Sequence, residues 1–431
     1  MVSSGLTSVR LTDVSHVRIF YHENMYAAHP NRGGIWNFGG GEIAVAHMLK
    51  PVDYTTGEGV HHGYSNNTGA GVMLNRSYDG GQTWPKDEKS WIWNNDRPVE
   101  EIHDWLYERP DQHECIDMSH PGSIMHFGLT HYLRKPTDPG SAPIYGNFAF
   151  CLRSRDRGRT WEARPSPVPP PPYAEGLLVA NLGYVTFPNG VLAIAASVGG
   201  TAYYVSYDQG LTWDFVSKIA LDATGHYQYT YAGVHLLPDG RLMCSMHRLL
   251  RPLGDYPCVA FSDDGGMTWG EPRYIVRPDR VPAEALPGLG SFELPTEKHN
   301  WFNDDDKPTG AWFNSYRSPA ALVTRDGRIV VIFGRRRPPY GIGGVVSDDL
   351  GETWSQEFVL RDDGASGDCG YPVLTELDDG RIFTAYYIAV ADSEGRVPSV
   401  RQDLASGHPS GGSMAAWSAV RHVAGTTFKI D

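Results

Sequence analysis

The chain has 431 residues, of which 41% are hydrophobic, and its formal net charge is −13. An acidic surface argues against nucleic acid as a partner, because phosphate binding needs a basic patch. No stretch approaches the roughly 18 consecutive apolar residues that span a bilayer, so no membrane segment is predicted. Recognition of an acidic ligand would therefore depend on a local cluster of arginines.

Five cysteines lie far apart in the sequence, and no two form a CxxC pair. This odd number at such spacing indicates neither a disulfide framework nor a zinc site. Residues 1–13 lack the apolar core of a secretory signal, so the sequence does not choose between a secreted mature protein and a cytoplasmic one. We expect a monomer without an organic cofactor. Structural calcium is conceivable at the acidic run 304–306, where a solvated loop is the more usual role.

One turn motif, Ser-x-Asp-x-Gly-x-Thr-Trp, occurs five times. The copies are SYDGGQTW at 77–84, SRDRGRTW at 154–161, SYDQGLTW at 206–213, SDDGGMTW at 262–269 and SDDLGETW at 347–354. The Asp can accept backbone N–H bonds across the turn, and the Gly supplies a backbone angle that other residues resist. The Trp is large enough to wedge between neighbouring sheets. We therefore assign these aspartates a structural role rather than a catalytic or metal-binding one.

A strand–turn–strand pattern accompanies the motifs, with Asn-Gly or Asp-Gly at the turn, which is a strong hairpin signal. Clear copies are GYVTFPNGVLAIAAS, GVHLLPDGRLMCSMH, PAALVTRDGRIVVIFG and PVLTELDDGRIFTAYY, and degenerate ones are GIWNFGGGEIAVAH and PGSIMHFGLTHYL. Together they define six units, near 35–84, 120–161, 180–213, 230–269, 317–354 and 370–421.

Each unit predicts a four-stranded antiparallel sheet with strands A to D, and radial repetition of such sheets makes a β-propeller. We therefore predict an all-β fold, a single propeller domain over residues 1–431 with insertions near 85–119 and 271–316. Six blades are expected, or seven if one is degenerate. Because the last unit lacks the motif, the strand at 16–22 is expected to complete it and close the ring.

Strand alternation separates the two faces of such a propeller. The A–B turns and the motif turns must share one face, here called the motif face. The B–C and D–A connections share the other, here called the loop face, and the insertions place function there. Starts of strand A and ends of strand B supply His47, His120, Tyr231, Arg248, Arg317, Arg336 and Tyr371, and the first B–C loop supplies His61 and His62.

Histidine, arginine and tyrosine at one rim are suited to sugar chemistry on an anionic substrate. Arginine binds a carboxylate in fork geometry, and histidine exchanges protons near neutral pH. A lone histidine at a strand end is more often structural, so the prediction rests on the cluster. We assign acid or base roles to His62 and His120 with assistance from Tyr371. The predicted substrate-binding residues are His61, His47, Arg248, Arg317, Arg336 and Tyr231.

The repeated motif resembles the Asp-box, or BNR repeat, of the sialidase superfamily over nearly the whole chain. In sialidases three arginines hold the sugar carboxylate, a Tyr with a Glu partner is the nucleophile, and an Asp is the acid/base. The resemblance implies that Tyr371 is that tyrosine. It implies that Arg248, Arg317 and Arg336 are the carboxylate arginines.

Some features depart from the sialidase pattern. The first-strand Arg-Ile-Pro signature is half present, at residues 17–20, and no Asp is clearly placed as the acid/base. The histidine-rich first blades are more similar to propeller polysaccharide lyases and rhamnosidases that act on uronate-containing glycans, such as rhamnosyl-glucuronate lyases. We therefore expect an enzyme that cleaves a terminal glycosidic bond at an acidic sugar, by β-elimination on a uronate of plant or algal polysaccharide. The alternatives are an exo-sialidase-type glycoside hydrolase and a non-catalytic sugar-binding propeller.

Overall fold

The computed structural model describes residues 8–54, 60, 69–98, 101, 114–134, 144–174, 179–180, 183–223, 227–250, 254–276, 316–336, 339–390 and 420–431. These residues form six antiparallel sheets and almost no helix. The prediction of an all-β propeller with six blades is confirmed, and the described residues contain no seventh sheet.

The elements follow the chain around the ring. They are β1 Leu11–Phe20, β2 Met25–Ala28, α1 Pro30–Gly33, β3 Gly34–Asn37, β4 Ile43–Pro51, β5 Gly71–Ser77, β6 Lys89–Asn94, β7 Ile124–Arg134, β8 Ile144–Ser154, β9 Ser166–Pro167, β10 Val179–Ala180, β11 Val185–Thr186, β12 Leu192–Val198, β13 Gly200–Ser206, β14 Asp214–Ala220, β15 Tyr227–Leu236, β16 Leu242–Leu250, β17 Gly254–Ser262, β18 Arg273–Tyr274, β19 Tyr316–Val323, β20 Ile329–Arg335, β21 Tyr340–Ser347, β22 Phe358–Gly364, β23 Gly370–Glu376, β24 Ile382–Ile388 and β25 His422–Ile430.

Five blades show strands A to D in order from the axis outward. Blade 1 is β2 to β6, blade 3 is β10 to β14, blade 4 is β15 to β18 and blade 5 is β19 to β22. In blades 1 and 3 strand A consists of two short pieces, β2 with β3 and β10 with β11. Blade 2 shows three strands, β7 to β9, among the described residues.

The ring is closed by the N-terminal strand, as predicted. Blade 6 has the order β23, β24, β25 and β1, so that β1 forms its outermost strand. Strands β1 and β25 pair antiparallel from Leu11 opposite Ile430 to Phe20 opposite Val423. Because β1 pairs with β25, the hydrogen bonds between these two strands close the ring of blades.

The five motif turns adopt one geometry. In the first, Thr83 donates to Asp79 through its backbone N–H at 2.9 Å and through its hydroxyl at 2.6 Å. Gly81 has a positive φ of 86° and packs so tightly on the preceding blade that an added Cβ would lie 2.5 Å from the Phe383 ring. The Trp84 and Phe383 ring centroids are 5.8 Å apart. The predicted structural role of the motif is confirmed, since it joins each blade to its neighbour.

Blade 2 differs from its predicted form. The hairpin expected within PGSIMHFGLTHYL does not exist, because β7 runs unbroken and pairs with β8 along its whole length. Gly128, at the expected turn, instead makes room for a neighbouring ring, since an added Cβ would lie 2.4 Å from the Phe150 side chain. Strand β8 leads into the motif turn and is therefore strand C, so β7 is strand B.

The predicted position of His120 is therefore wrong. It lies in the turn before β7, where its Nδ1 accepts a hydrogen bond from the Gly122 backbone N–H at 3.0 Å. The Gly122 carbonyl in turn accepts a bond from the backbone N–H of Arg157 in the motif turn, at 2.7 Å. This turn belongs to the motif face, so His120 is exposed on the side of the propeller opposite to Tyr371.

Three further observations concern the described residues. Helix α1 has four residues, and no helix there is long and apolar enough to cross a bilayer. Within the described ranges no three histidine, cysteine or acidic side chains are grouped as metal ligands, and the acidic run 304–306 lies outside those ranges. All five cysteines are free thiols.

Candidate functional site

Besides the two-piece strand of blade 3, the innermost strand is interrupted in four blades. In β15, β19 and β23 two residues stand opposite a single residue of strand B, which is the arrangement of a β-bulge. In blade 1 residues 29–33, including α1, separate β2 from β3. The first extra residue has a left-handed backbone in every case: His29 (φ 55°), Tyr231 (φ 52°), Ser318 (φ 48°) and Tyr371 (φ 51°).

These backbone conformations are costly. A non-glycine residue with positive φ is uncommon, and a residue before proline favours an extended conformation. His29, Ser318 and Tyr371 all precede a proline. Strain of this kind is concentrated at functional sites, where the surrounding structure holds a side chain in a required direction. The four interruptions therefore indicate a site on the loop face, close to the propeller axis.

The side chains at these interruptions meet near the axis. The Tyr371 ring centroid lies 4.5 Å from His29, 5.0 Å from Tyr231 and 5.9 Å from Tyr387. Tyr231 also lies 4.9 Å from the His247 ring. Blades 1, 4 and 6 thus contribute to a single aromatic cluster, and Tyr371 at its centre is buried.

The two tyrosines in this cluster form a hydrogen-bonded pair. The Tyr371 hydroxyl donates to the Tyr231 hydroxyl at 3.4 Å. Arg317 Nη1 donates to the Tyr371 hydroxyl at 3.3 Å, and the Arg336 guanidinium lies 5.2 Å from the centroid of the Tyr371 ring. The Arg32 guanidinium lies close enough to Tyr231 for its positive charge to lower the pKa of that phenol. Three arginines from blades 1 and 5 therefore surround the pair.

The surroundings separate the acidities of the two phenols. Burial raises the pKa of Tyr231, but the positive charges of Arg32 and Arg317 and the hydrogen bond from Tyr371 outweigh it, so this pKa lies below its ordinary value. Burial, together with the developing charge on Tyr231, raises the pKa of Tyr371 to about 12. Tyr231 is therefore the better proton acceptor of the pair, and Tyr371 keeps its proton.

A buried carboxylate anchors this arrangement. Asp368 accepts hydrogen bonds from Tyr387 at 2.5 Å, from Tyr26 at 2.9 Å and from Arg421 Nε at 2.9 Å. Arg336 donates to the Tyr387 hydroxyl at 2.7 Å, and its Nη2 lies 3.7 Å from the Asp368 carboxylate. Because these residues belong to blades 1, 5 and 6, Asp368 fixes Arg336 and Tyr387 relative to the neighbouring Tyr371.

A cavity of about 510 Å³ lies along the propeller axis. Its walls are mainly the inner strands of the blades, with β7 taking that place in blade 2. Asn31 and Arg32 line the cavity on the side of the cluster, and Asn37 and Phe38 line it towards the motif face. The tyrosine pair, Arg317 and Arg336 are not among the lining residues, so the cavity lies beneath the cluster and meets it through Arg32. This volume is within the roughly 300–1,000 Å³ that is usual for small-molecule sites.

Four of the predicted site residues are brought together. Tyr371, Tyr231, Arg317 and Arg336 all belong to the cluster on the axis. They were predicted because each lies at a strand-A start or a strand-B end, and those strand ends converge at this face. Their roles in binding and catalysis stay predictions.

Other predicted residues lie elsewhere. Arg248 packs its guanidinium between the Tyr229 and Tyr274 rings of its own blade, at 5.6 and 5.4 Å. His47 is fully buried, and its ring packs at a tilt against Phe20 of blade 6. Burial lowers its pKa to about 4. These properties are those of a neutral histidine with a structural role. His120 lies on the motif face, as described above. His61 and His62 lie outside the described residues.

Sequence reasoning missed His29, Asn31, Arg32 and Asp368 at this site. One available signal was the pairing of a polar or aromatic residue with proline at the start of strand A, seen in Ser318-Pro319 and Tyr371-Pro372. The dipeptide His29-Pro30 repeats it. Asp368 had no such signal, because its partners are distant in the sequence.

Comparison with known proteins agrees with this architecture. The family described as the BNR repeat-like domain matches residues 139–384, which is more than half of the chain. The fold and its repeated turns thus define a propeller of BNR repeats. The chain belongs to the BNR repeat-like domain family. No curated protein matches it significantly.

Several solved structures share the fold. A protein of unknown function from Dyadobacter fermentans is 20% identical, with 98% of this chain and 99% of that chain covered and a TM-score of 0.63. The Hadza microbial sialidase Hz136 is 18% identical, with coverage of 94% and 65% and a TM-score of 0.51. A leech intramolecular trans-sialidase is 15% identical, with coverage of 86% and 67% and a TM-score of 0.50. The chain spans about two thirds of the length of these two sialidases.

Proposed function

We propose that the protein cleaves a glycosidic bond next to a carboxylated sugar, and that it does so by β-elimination on a uronate. The observation that carries this proposal is the Tyr231–Tyr371 pair, in which a proton acceptor and a proton donor lie side by side among three arginines. Both tyrosines are placed by strained bulges at the same level of the propeller axis.

The arginines would bind and neutralise the sugar carboxylate. Arg317 and Arg336 contact Tyr371, and Arg32 contacts Tyr231, so a carboxylate among them would lie directly beside both phenols. Elimination needs this neutralisation because the proton on the carbon next to a carboxylate is only weakly acidic. Arginine suits the task because its planar fork matches the carboxylate oxygens.

The reaction can be written with these residues alone. The Tyr231 phenolate takes the proton from the carbon next to the carboxylate, and that bonding pair forms the new carbon–carbon double bond. The bond from the adjacent carbon to the glycosidic oxygen breaks, and the leaving oxygen takes the proton of Tyr371. Transfer of the captured proton from Tyr231 to Tyr371, across their hydrogen bond, restores the starting state.

A glycoside hydrolase is the second candidate. It is favoured by the fold shared with the two sialidases and by the position of Tyr371 at the start of the last inner strand. In that case Tyr371 would attack the sugar and Tyr231 would accept its proton. A hydrolase also needs an acid for the leaving group. The buried carboxylate described above, Asp368, is already held by Tyr26, Tyr387 and Arg421.

Product analysis distinguishes the two chemistries. The chain would be incubated separately with a rhamnosyl-glucuronate oligosaccharide and with a sialoside, followed by ultraviolet absorbance and mass spectrometry. A lyase produces an unsaturated uronate that absorbs in the ultraviolet and has one water less than a hydrolysis product. Release of free sialic acid would instead support the hydrolase.

A further inference from the structure

The polar end of the axial cavity contains a side chain that nothing in the fold explains. Asn31 is 2% exposed, and neither its amide nitrogen nor its amide oxygen has a hydrogen-bond partner among the described residues. A buried unpaired polar group costs about 1–3 kcal/mol, and most buried polar side chains are paired. Asn31 therefore costs folding free energy at a position where an apolar residue of similar size would cost less.

The location of Asn31 points to a ligand. It lines the cavity beside Arg32, the one arginine of the three that both lines this cavity and acts on Tyr231. A sugar whose carboxylate reaches Arg32 would therefore lie beside Asn31. The amide offers two donors and one acceptor, which complement the hydroxyl groups of a sugar ring.

The backbone around Asn31 is built to hold it there. Residues 29–33 connect β2 to β3, and their first residue, His29, has a left-handed backbone. At the other end of this connection the Gly33 carbonyl contacts His126 Nδ1 of blade 2 at 2.9 Å. Gly33 itself has no room for a side chain, because an added Cβ would lie 2.0 Å from the Ala46 carbonyl oxygen. The backbone of the connection that contains Asn31 is thus held in place at both ends.

We propose that Asn31 is a specificity-determining residue that binds the hydroxyl groups of the sugar whose carboxylate the arginines hold. This inference rests on the proposed function, since it takes the same sugar as the ligand. It divides recognition into two parts: the arginines select for the carboxylate, and Asn31 selects for the ring.

The test compares Asn31→Leu with Asn94→Leu in the whole chain. Asn94 ends the outer strand β6 and does not line the cavity, and its amide oxygen accepts a hydrogen bond from the Asp96 backbone N–H at 2.9 Å. D-Glucuronate and D-glucose serve as probes, with binding measured by calorimetry and thermal stability measured without sugar. Arg317→Ala reports on the carboxylate separately.

The two asparagine variants should behave oppositely. Asn31→Leu should raise Tm by roughly 1–3 °C, because it removes an unpaired buried amide, and should weaken binding of both sugars roughly tenfold. Asn94→Leu should lower Tm and leave sugar affinity unchanged. Arg317→Ala should weaken glucuronate selectively.

Each result decides the inference. If Asn31→Leu binds glucuronate as tightly as the unmodified chain, the role of Asn31 is overturned while the proposed function stands. If the unmodified chain binds neither sugar, the proposed function and the role of Asn31 both fail. A lower Tm for Asn31→Leu would show that the amide is satisfied in the free protein and would likewise overturn the inference.

Discussion

The Tyr371 hydroxyl donates a hydrogen bond to the Tyr231 hydroxyl near the propeller axis, with 3.4 Å between the two oxygens. The two residues occupy the same bulge position in blades 6 and 4 and share a left-handed backbone. The fold itself therefore holds the two phenols together. Positive charge from the arginines acts on both, but the net result is a lowered pKa for Tyr231 and a raised pKa for Tyr371, where burial outweighs it.

Replacing Tyr371 should abolish catalysis without unfolding the chain. Tyr371→Phe removes the proton donor but keeps the ring that packs against His29 and Tyr231, so activity should fall roughly 10²–10⁴-fold. Steady-state turnover of a uronate oligosaccharide measures this loss. Tyr386→Phe is the matched control, because that hydroxyl bonds Thr426 at 2.6 Å within blade 6 and should be dispensable for activity. Equal activity of the two variants would exclude Tyr371 from the reaction.

The lowered pKa of Tyr231 predicts a pH dependence. If the phenolate is the base, activity falls as the pH drops through this pKa, which lies below its ordinary value of about 10. Tyr231→Phe should remove both the activity and this acidic limb. Tyr229→Phe, on the same strand but beside Arg248, should keep the limb. A limb at the same pH in residual Tyr231→Phe activity would assign it to another group.

Most of the fold could be predicted because its signals are local. Each motif turn is stabilised by contacts within eight residues, as in the bonds from Thr83 to Asp79, so the motif reads the same in every blade. Strand alternation then predicted that Tyr371 and Arg317 lie at the loop face, where the structure has the starts of β23 and β19. The same reasoning failed at Gly128, which is present because it packs against Phe150 and not because the chain turns there.

The site was less predictable because its decisive contacts are distant in the sequence. Asp368 bonds Tyr26, 342 residues away, so no spacing rule connects them. A simple alternating pattern also does not predict β-bulges. The bulges leave the strand directions unchanged, but their left-handed residues turn Tyr231 and Tyr371 towards the axis.

Loss of the Asp368 charge should destabilise the protein strongly. Asp368→Asn removes the carboxylate that Arg421 and Arg336 approach, and weakening a buried ion pair from one side costs about 3–5 kcal/mol. The free energy of unfolding in denaturant measures this. Asp239→Asn is a suitable comparison, because Asp239 pairs with Arg241 near the surface and should cost about 1 kcal/mol or less. Similar losses in the two variants would mean that Asp368 is not a structural anchor.

Buried histidines should make the fold sensitive to acid. Burial lowers the pKa values of His47 and His126 to about 4, against an ordinary value of 6.5. The unfolded chain therefore binds protons first, and stability that is complete above pH 6.5 is lost as the pH falls towards 4. Each residue contributes about 3 kcal/mol across that window.

Replacing one of them tests this. His47→Gln should flatten the decline of unfolding free energy between pH 6.5 and 4, with values above pH 6.5 as the internal reference. An unchanged slope in that variant would show that His47 is not protonated on unfolding in this range.

The central claim, elimination by the tyrosine pair, is tested most directly by cleaving a rhamnosyl-glucuronate oligosaccharide in water enriched in heavy oxygen. Elimination takes no oxygen from water. Products reduced at once, before the released sugar exchanges its anomeric oxygen with water, should therefore be, by mass spectrometry, an unsaturated uronate and a released sugar that both contain only ordinary oxygen, and Tyr231→Phe should produce neither. A saturated uronate, with heavy oxygen on the anomeric carbon of the released sugar, would contradict the elimination mechanism and identify the protein as a hydrolase.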